Sequence, residues 1–135
     1  TDANLSGANL TNAHLQGTNL TGANLTGADL SDVYLTSANL NNANLTGAVF
    51  NGGGDLFGAN LSGANLTNAD MTDAILANVI GLGDSFGAAL YDINTDFTGT
   101  GFDPVAAGWT LVPVPEPGTA LLMGLVLAGL ALRRA

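Results

Sequence analysis

The chain of 135 residues contains no cysteine and no lysine, and its two basic residues, Arg133 and Arg134, stand together near the end. The absence of cysteine excludes disulfides, thiolate metal sites and thiol nucleophiles. Acidic residues number 11 and the formal net charge is −9. Phosphate binding depends on Lys and Arg, so a body without either has no electrostatic means of holding nucleic acid. Attraction to anionic lipid is disfavoured for the same reason.

Groups that perform catalysis are also scarce. His14 is the single histidine, so most nucleophile–base pairs are excluded, and we interpret His14 as a solvated outward side chain. Asp29 and Asp70 are predicted to share a face in open solvent, where carboxylates serve as surface charge. We therefore expect a protein that is not an enzyme, with no cofactor, no metal and no small-molecule substrate. Because the chain starts at Thr1 without an initiator Met, we expect a processed or excised product.

The sequence is rich in a five-residue repeat. A large apolar residue recurs in fifteen pentads from Leu5 to Leu76, with one extra residue in the segment NGGGDL. Two positions earlier stands Ala in twelve pentads, the exceptions being Thr18, Val33 and Gly54. In an extended segment these two positions share one side, and the Thr-Gly or Ser-Gly pairs that come next turn the chain. Stacked coils of this kind bury large side chains over small ones and form a solenoid.

Pentads such as A-N-L-T-G and A-D-L-S-D resemble those of the pentapeptide-repeat family, and the resemblance covers residues 3–78. It implies an all-β solenoid, a right-handed and four-sided (quadrilateral) β-helix with four pentads per coil and about four to five coils in all. We assign residues 1–78 to this β-helix. One core ladder is predicted to contain Leu5, Leu25, Leu45 and Leu66. The extra residue in NGGGDL is interpreted as a bulge at a corner.

Four pentads per coil sort the outward residues into four faces. Two faces carry Asn at nearly every level, and stacked Asn side chains are expected to bond along the ladder. Another face is interrupted by Tyr34, Phe57 and Ile75, which we call the contact stripe. Two interpretations remain open: the segment after residue 78 folds back over the stripe, or the stripe is an exposed contact surface for another subunit.

The period fails at Val79, and we assign residues 79–111 to an irregular last coil and cap. Fragments such as 88–90 (Ala-Ala-Leu) and 95–97 (Thr-Asp-Phe) are predicted to continue the repeat. Phe97, Phe102 and Trp109 are expected to plug the end, because an uncovered coil presents unpaired backbone. At the other end the first coil is expected to have an exposed edge, either covered by sequence that was removed or available to another molecule.

The tail is a separate unit. Residues 112–118 form a Pro-rich linker, and residues 119–135 are predicted to form a short hydrophobic α-helix with a basic end. At ~1.5 Å per residue its apolar run, 120–132, is about 20 Å long, shorter than a bilayer core of ~30 Å. Pro115-Glu116-Pro117 at the head and Arg133-Arg134 at the end resemble the PEP-CTERM sorting signal of Gram-negative bacteria. The resemblance implies export through the inner membrane, transient anchoring and cleavage by an exosortase; an ordinary membrane anchor is the alternative.

A second pattern lies within the apolar run. Ala120, Gly124 and Ala128 recur every four residues and would form a helix-packing face, because small side chains allow another helix to approach closely. Such packing would suit an assembly in which the tail is retained.

We expect an exported structural protein of the cell surface or extracellular matrix, with the solenoid as a rigid rod. The expected partners are a second copy of the chain and, through the tail, an exosortase and the membrane. The alternative is a self-assembling subunit of an extracellular filament or tube, built by coil stacking and tail-helix packing. Two further possibilities are an acidic DNA mimic that binds gyrase, as some pentapeptide-repeat proteins do, and an ice-binding protein. The row that would bind ice is Ser6, Thr26, Thr46 and Thr67.

Overall fold

A computed structural model describes residues 1–113 of the chain. The predicted sorting-motif residues, the hydrophobic helix and its packing face at Ala120, Gly124 and Ala128 therefore lie outside the described residues. Among residues 1–113, no helix has both the length and the apolar character needed to cross a membrane. In this described part, the regular secondary structure consists of a 3₁₀ helix, Leu82–Asp84, and two short strands, β1 (Leu90–Tyr91) and β2 (Thr110–Leu111).

Most of the chain is paired through single parallel bridges between successive coils. Fifteen such bridges join outward residues, the first series running Asn4 to Asn24 to Asn44. Partners in this series are 20 residues apart, which is four pentads, so each coil has four sides. The predicted four-sided β-helix with four pentads per coil is the observed architecture.

Each pentad forms a short extended side and then a tight turn. On the extended side, the N–H of Leu25 donates to the carbonyl of Asn44 on the next coil at 2.8 Å. The turn is closed by the N–H of Ala28, which donates to the carbonyl of Leu25 at 3.0 Å. Gly27, the third residue of this turn, has a φ of 63°, as a type II turn requires. Elsewhere Asn takes the same place, as at Asn42 with a φ of 57°.

The interior is a continuous apolar column along the axis. Leu25, Leu45 and Leu66 of the predicted core ladder are each 0% exposed, whereas Leu5 in the first coil is half-buried. Alanines such as Ala23 lie beside them and are also fully buried. Leucine stacks on leucine and alanine on alanine from coil to coil, and each fully buried leucine contributes roughly 1.5–3 kcal/mol of burial free energy.

The glycine-rich segment 51–54 inserts one residue at a corner. Bridge partners that span it are 21 residues apart, as for Tyr34 and Asp55, whereas the spacing returns to 20 between Asp55 and Ile75. Gly53 has a φ of 103°, and a Cβ on Gly54 would approach the carbonyl oxygen of Phe50 to 2.8 Å. The predicted corner bulge is confirmed, and the faces stay aligned on both sides of it.

The expected bonding along the Asn ladders is wrong for most of the body. Asn44 Oδ1 instead accepts the backbone N–H of Thr46 at 3.2 Å and its hydroxyl at 2.7 Å. Within residues 1–113 the side chains of the stacked Asn residues bond to each other only between Asn24 Nδ2 and Asn4 Oδ1, at 3.5 Å. The reason is proximity, because the backbone N–H and hydroxyl donors of the adjacent turn lie closer to each Asn side chain than the Asn side chain of the next coil does.

The ladders continue beyond residue 78 into a further coil. Ile80 pairs with Asn60, Phe86 with Asn65, and β1 then pairs in parallel with β2. The predicted alignment of fragment 88–90 is wrong by one residue, because Leu90 takes the outward position opposite Asp70. The 3₁₀ helix at the preceding corner breaks the five-residue count and shifts the register of the residues after it.

An aromatic cluster closes the end of the solenoid. Trp109 is 6% exposed, and its ring centroid lies 5.8 Å from that of Phe97 and 5.1 Å from that of Phe102. Tyr91 packs edge-on against Phe97 with centroids 5.8 Å apart. The three residues expected to plug the end therefore lie together on the last coil.

Candidate interaction surface

The contact stripe lies on the outside of the solenoid over successive coils. Tyr34 is 41% exposed, Phe57 46% and Ile75 39%. Residues 79–113 do not fold back over them; they stack on the end of the solenoid, so that interpretation is wrong for the described part of the chain. Stacking on the end is favoured over covering the contact stripe because the last regular coil exposes both unpaired backbone groups and the apolar interior at its end.

Polar groups frame the stripe. The rings of His14 and Tyr34 are stacked, with centroids 4.7 Å apart and planes at 8°. Between Tyr34 and Ile75 stands Asp55, which accepts the backbone N–H of Phe57 at 2.9 Å and the hydroxyl of Thr36 at 2.9 Å. Its carboxylate is thereby held in place, and the surface combines an aromatic stack, a fixed negative charge and two apolar side chains.

A second group of exposed apolar side chains was missed by the sequence reasoning. We call it the apolar tip, and it lies in the region after the regular repeat. Its members are Ile80 (59% exposed), Phe86 (56%), Ile93 (83%), Val105 (73%) and Leu111 (56%). The signal was available at Ile80, which stands 20 residues after Asn60 at an outward position normally filled by Asn or Asp. For the members after the 3₁₀ helix, the changed register concealed which positions face outward.

The hydroxyl row considered for ice binding has its donors engaged. Thr26 Oγ1 donates to Asn24 Oδ1 at 2.7 Å, and Thr67 Oγ1 donates to Asn65 Oδ1 at 2.7 Å. Ser6 Oγ makes the same bond to Asn4 at 2.9 Å. These hydroxyl groups complete the turns, so their donors are not free to bind ice.

The outward carboxylates behave as structural acceptors. The hydroxyl and backbone N–H of Ser31 lower the pKa of Asp29 below its ordinary value, and the corresponding groups of Thr98 do the same to the pKa of Asp96. Asp70 accepts from the hydroxyl and N–H of Thr72. No cluster of His, Asp or Glu within residues 1–113 has the arrangement of a metal site.

Asp92 differs because it is buried, with 5% of its surface exposed. Burial by itself would raise its pKa, but the backbone N–H groups of Asp73, Asn94 and Thr95 and the hydroxyl of Thr95 hold the pKa below the ordinary value. The N–H of Asp73 donates to Asp92 Oδ1 at 3.0 Å and Asn94 Nδ2 donates to Asp73 Oδ1 at 2.7 Å. The carboxylate thus ties the last coil to the preceding one.

Comparison with protein families gives two matches. Pentapeptide repeats match in eight copies over residues 1–36, 13–52 and 55–80. A PEP-CTERM protein-sorting motif matches residues 113–135. The sorting motif indicates export via the membrane in Gram-negative bacteria, with sorting by an exosortase, and neither match points to catalysis. No curated protein matches the sequence significantly.

Solved structures of pentapeptide repeat proteins are similar to this chain. One from the cyanobacterium Cyanothece 51142 is 39% identical with a TM-score of 0.66, over 70% of this chain and 63% of that protein. One from Nostoc PCC 7120 is 32% identical with a TM-score of 0.39, over 81% and 84% of the two chains. One from the thylakoid lumen of Arabidopsis thaliana is 30% identical with a TM-score of 0.35, over 63% and 55%.

The chain spans less than two thirds of the length of the Cyanothece protein. The pentads, the four-sided coils and the match over residues 1–52 and 55–80 nevertheless agree. The fold is a right-handed β-helix solenoid, and the sorting motif indicates an exported protein. The chain belongs to the pentapeptide repeat family.

Proposed function

We propose that this protein is a structural component of the bacterial cell surface or extracellular matrix. The β-helix serves as a rigid rod, and the tail directs or anchors it at the membrane. The observation that carries this proposal is a sealed apolar core, unbroken from Leu20 to Leu76, in a chain that also bears a sorting motif.

Rigidity results from how the coils are joined. Each side of a coil donates to both neighbouring coils: the N–H of Leu45 donates to the carbonyl of Asn65 at 2.8 Å, and the N–H of Asn44 donates to the carbonyl of Ala23 at 2.8 Å. Among the described residues every buried side-chain polar atom has a hydrogen-bond partner. Opening one coil in the middle therefore breaks several bonds and exposes the core, which makes local unfolding and proteolysis rare.

The contact stripe supports lateral association with a second copy. Tyr34, Phe57 and Ile75 place apolar surface along one side of an otherwise polar body, and such patches favour protein contacts. End-to-end coil stacking, the basis of the filament alternative, requires an open edge at each joint. At the C-terminal end that edge is occupied by β2 and the aromatic cluster around Trp109, so a side contact is favoured.

The test is to express the full-length gene in a bacterium that has an exosortase and to track the protein. We expect it outside the inner membrane, resistant to protease, with an intact mass showing loss of everything after about Pro117 if the tail is processed. Cytoplasmic retention would reject the exported role. Rapid digestion of the exported protein would reject the rigid rod.

Self-association is tested separately by sedimentation of the purified protein over a range of concentrations. We expect concentration-dependent dimers that are weakened by the double substitution Tyr34→Ser and Phe57→Ser. The matched control is Leu111→Ser, which removes an exposed apolar side chain elsewhere. A monomer at all concentrations, or equal loss in the control, would reject the stripe as the contact.

A further inference from the structure

The apolar tip is concentrated at the end of the solenoid where the chain continues into the sorting motif. Five of the eight large hydrophobic side chains exposed in the described residues lie between Ile80 and Leu111. The described chain ends at Pro113, two residues beyond Leu111. Exposed apolar surface of this extent at one end of a polar rod marks an interaction site.

Two polar ladders end in apolar residues at this place. The series of outward Asn residues on one side ends with Phe86 opposite Asn65, and the series on the adjacent side ends with Ile80 opposite Asn60. These two side chains flank the corner formed by the 3₁₀ helix Leu82–Asp84. Leu111, in β2, lies opposite Tyr91 of β1 on the next side. Apolar side chains therefore occupy three consecutive sides of the same end.

The charges of this region select the kind of surface it can contact. Asp84 and Asp103 are exposed, and residues 1–113 contain neither Lys nor Arg. Anionic lipid attracts basic side chains and repels acidic ones. A bilayer of zwitterionic lipid offers apolar contact at its headgroup–acyl boundary without that repulsion.

The covalent connection places the tip near a bilayer. The apolar run begins at Ala120, so residues 114–119 alone separate it from Pro113. Even fully extended, six residues span at most about 20 Å. When the apolar run is in the membrane, the tip is therefore held within about that distance of the lipid surface.

We propose that the apolar tip docks on the zwitterionic lipid surface of the membrane in which the tail resides, so that the rod is seated on its end before release. The proposal rests on the sorting motif and the exposed side chains, and it is independent of lateral association through the contact stripe.

The experiment uses the full chain reconstituted in phosphatidylcholine vesicles. Trp109, the single tryptophan, reports from the cap, and its fluorescence is quenched by lipids that carry a spin label on the headgroup. We expect strong quenching that falls at least twofold in the double variant Ile80→Ser and Phe86→Ser. The matched control, Tyr34→Ser with Phe57→Ser, keeps the tether and should quench like the unchanged protein.

Several outcomes would overturn the proposal. Equal quenching in the Ile80→Ser and Phe86→Ser variant would show that the tether alone brings the cap near lipid. Cross-linking of one tip to another in vesicles, with little quenching, would assign the tip to a second copy. Replacing half the lipid with phosphatidylglycerol should reduce quenching, and an increase would contradict the charge argument. If circular dichroism shows that the double variant misfolds, Ile93→Ser, at a side chain 83% exposed, provides the same test.

Discussion

The regular body and the closing segment of this solenoid differ in how they cover the apolar interior and the backbone edge of a coil. In the body each coil is covered by another copy of itself, and a repeated leucine, alanine and turn suffice. In residues 81–113 no further regular coil is added, so side chains must replace it: the Trp109 cluster covers the core and Asp92 bonds to the exposed turn. Periodicity therefore encodes the middle of such a fold, whereas its end depends on individual residues.

The largest expected effect comes from opening the body. Phe50 is the largest fully buried side chain among residues 1–113, at 0% exposed. Phe50→Ala should lower the free energy of unfolding by about 3–5 kcal/mol, because it leaves a cavity that the stacked coils cannot collapse. Urea unfolding monitored by circular dichroism measures it. The control Phe57→Ala, at an exposed aromatic, should stay within about 0.5 kcal/mol; equal losses would contradict the core assignment.

The cap is tested next through its buried carboxylate. Asp92→Ala leaves the N–H groups of Asp73 and Thr95 without their acceptor and should cost about 1–3 kcal/mol. The loss should appear first in Trp109 fluorescence, before the circular dichroism of the body changes. Asp84→Ala, at an exposed carboxylate of the same region, is the control and should have little effect. Simultaneous unfolding of cap and body would show that the two regions are one cooperative unit.

Lowering the pH should likewise loosen the cap before the body unfolds. The pKa of Asp92 is lowered by folding, so its stabilising contribution is fully present above the ordinary Asp pKa and is lost as pH falls through the lower folded value. We expect Trp109 fluorescence to report loosening of the cap below about pH 4. Asp92→Asn should weaken this response, and an unchanged acid transition would assign it to other carboxylates.

A smaller effect is expected at a turn of the body. Asn44→Ala removes the acceptor for the N–H and hydroxyl of Thr46 and should cost about 0.5–1.5 kcal/mol, the usual net value of such bonds. Asn44→Asp retains an acceptor oxygen and should cost less. If the two variants are equally destabilised, the local turn bond is not what Asn44 contributes.

The smallest effect is expected at the tip. Leu111→Ser, at a side chain 56% exposed, should change the free energy of unfolding by no more than about 0.5 kcal/mol. The measurement is the same urea titration. A loss near that of Phe50→Ala would show that this side chain belongs to the core in solution.

The sequence predicts the body well because its rules are local. A leucine every five residues with alanine two positions earlier defines the sides, the interior and the four faces, and the spare glycine defines the bulge. Phe97, Phe102 and Trp109 were identifiable as a plug because they follow the end of the regular repeat, where an uncovered coil needs a cap. Membership in the family and the sorting motif were both readable from short patterns that carry their own spacing.

The rest depended on contacts between distant residues. The bond from Asp73 to Asp92 spans 19 residues and has no pentad signature. Leu90 faces outward only because the 3₁₀ helix before it changes the count. The Asn side chains had two possible partners, and the choice of the nearby turn over the next coil was decided by distance. Most of the apolar tip was missed because it lies after the 3₁₀ helix in this altered register, whereas Ile80 keeps the regular spacing from Asn60.

The bulge at residues 51–54 shows how the solenoid accommodates added length. The extra residue is absorbed at a corner, with Gly53 at a φ of 103°, while the bridges on both sides keep their faces in line. A corner that already absorbs an extra residue without shifting the faces is a natural graft site: a foreign epitope or reporter loop inserted there would be displayed at a fixed height on the rod.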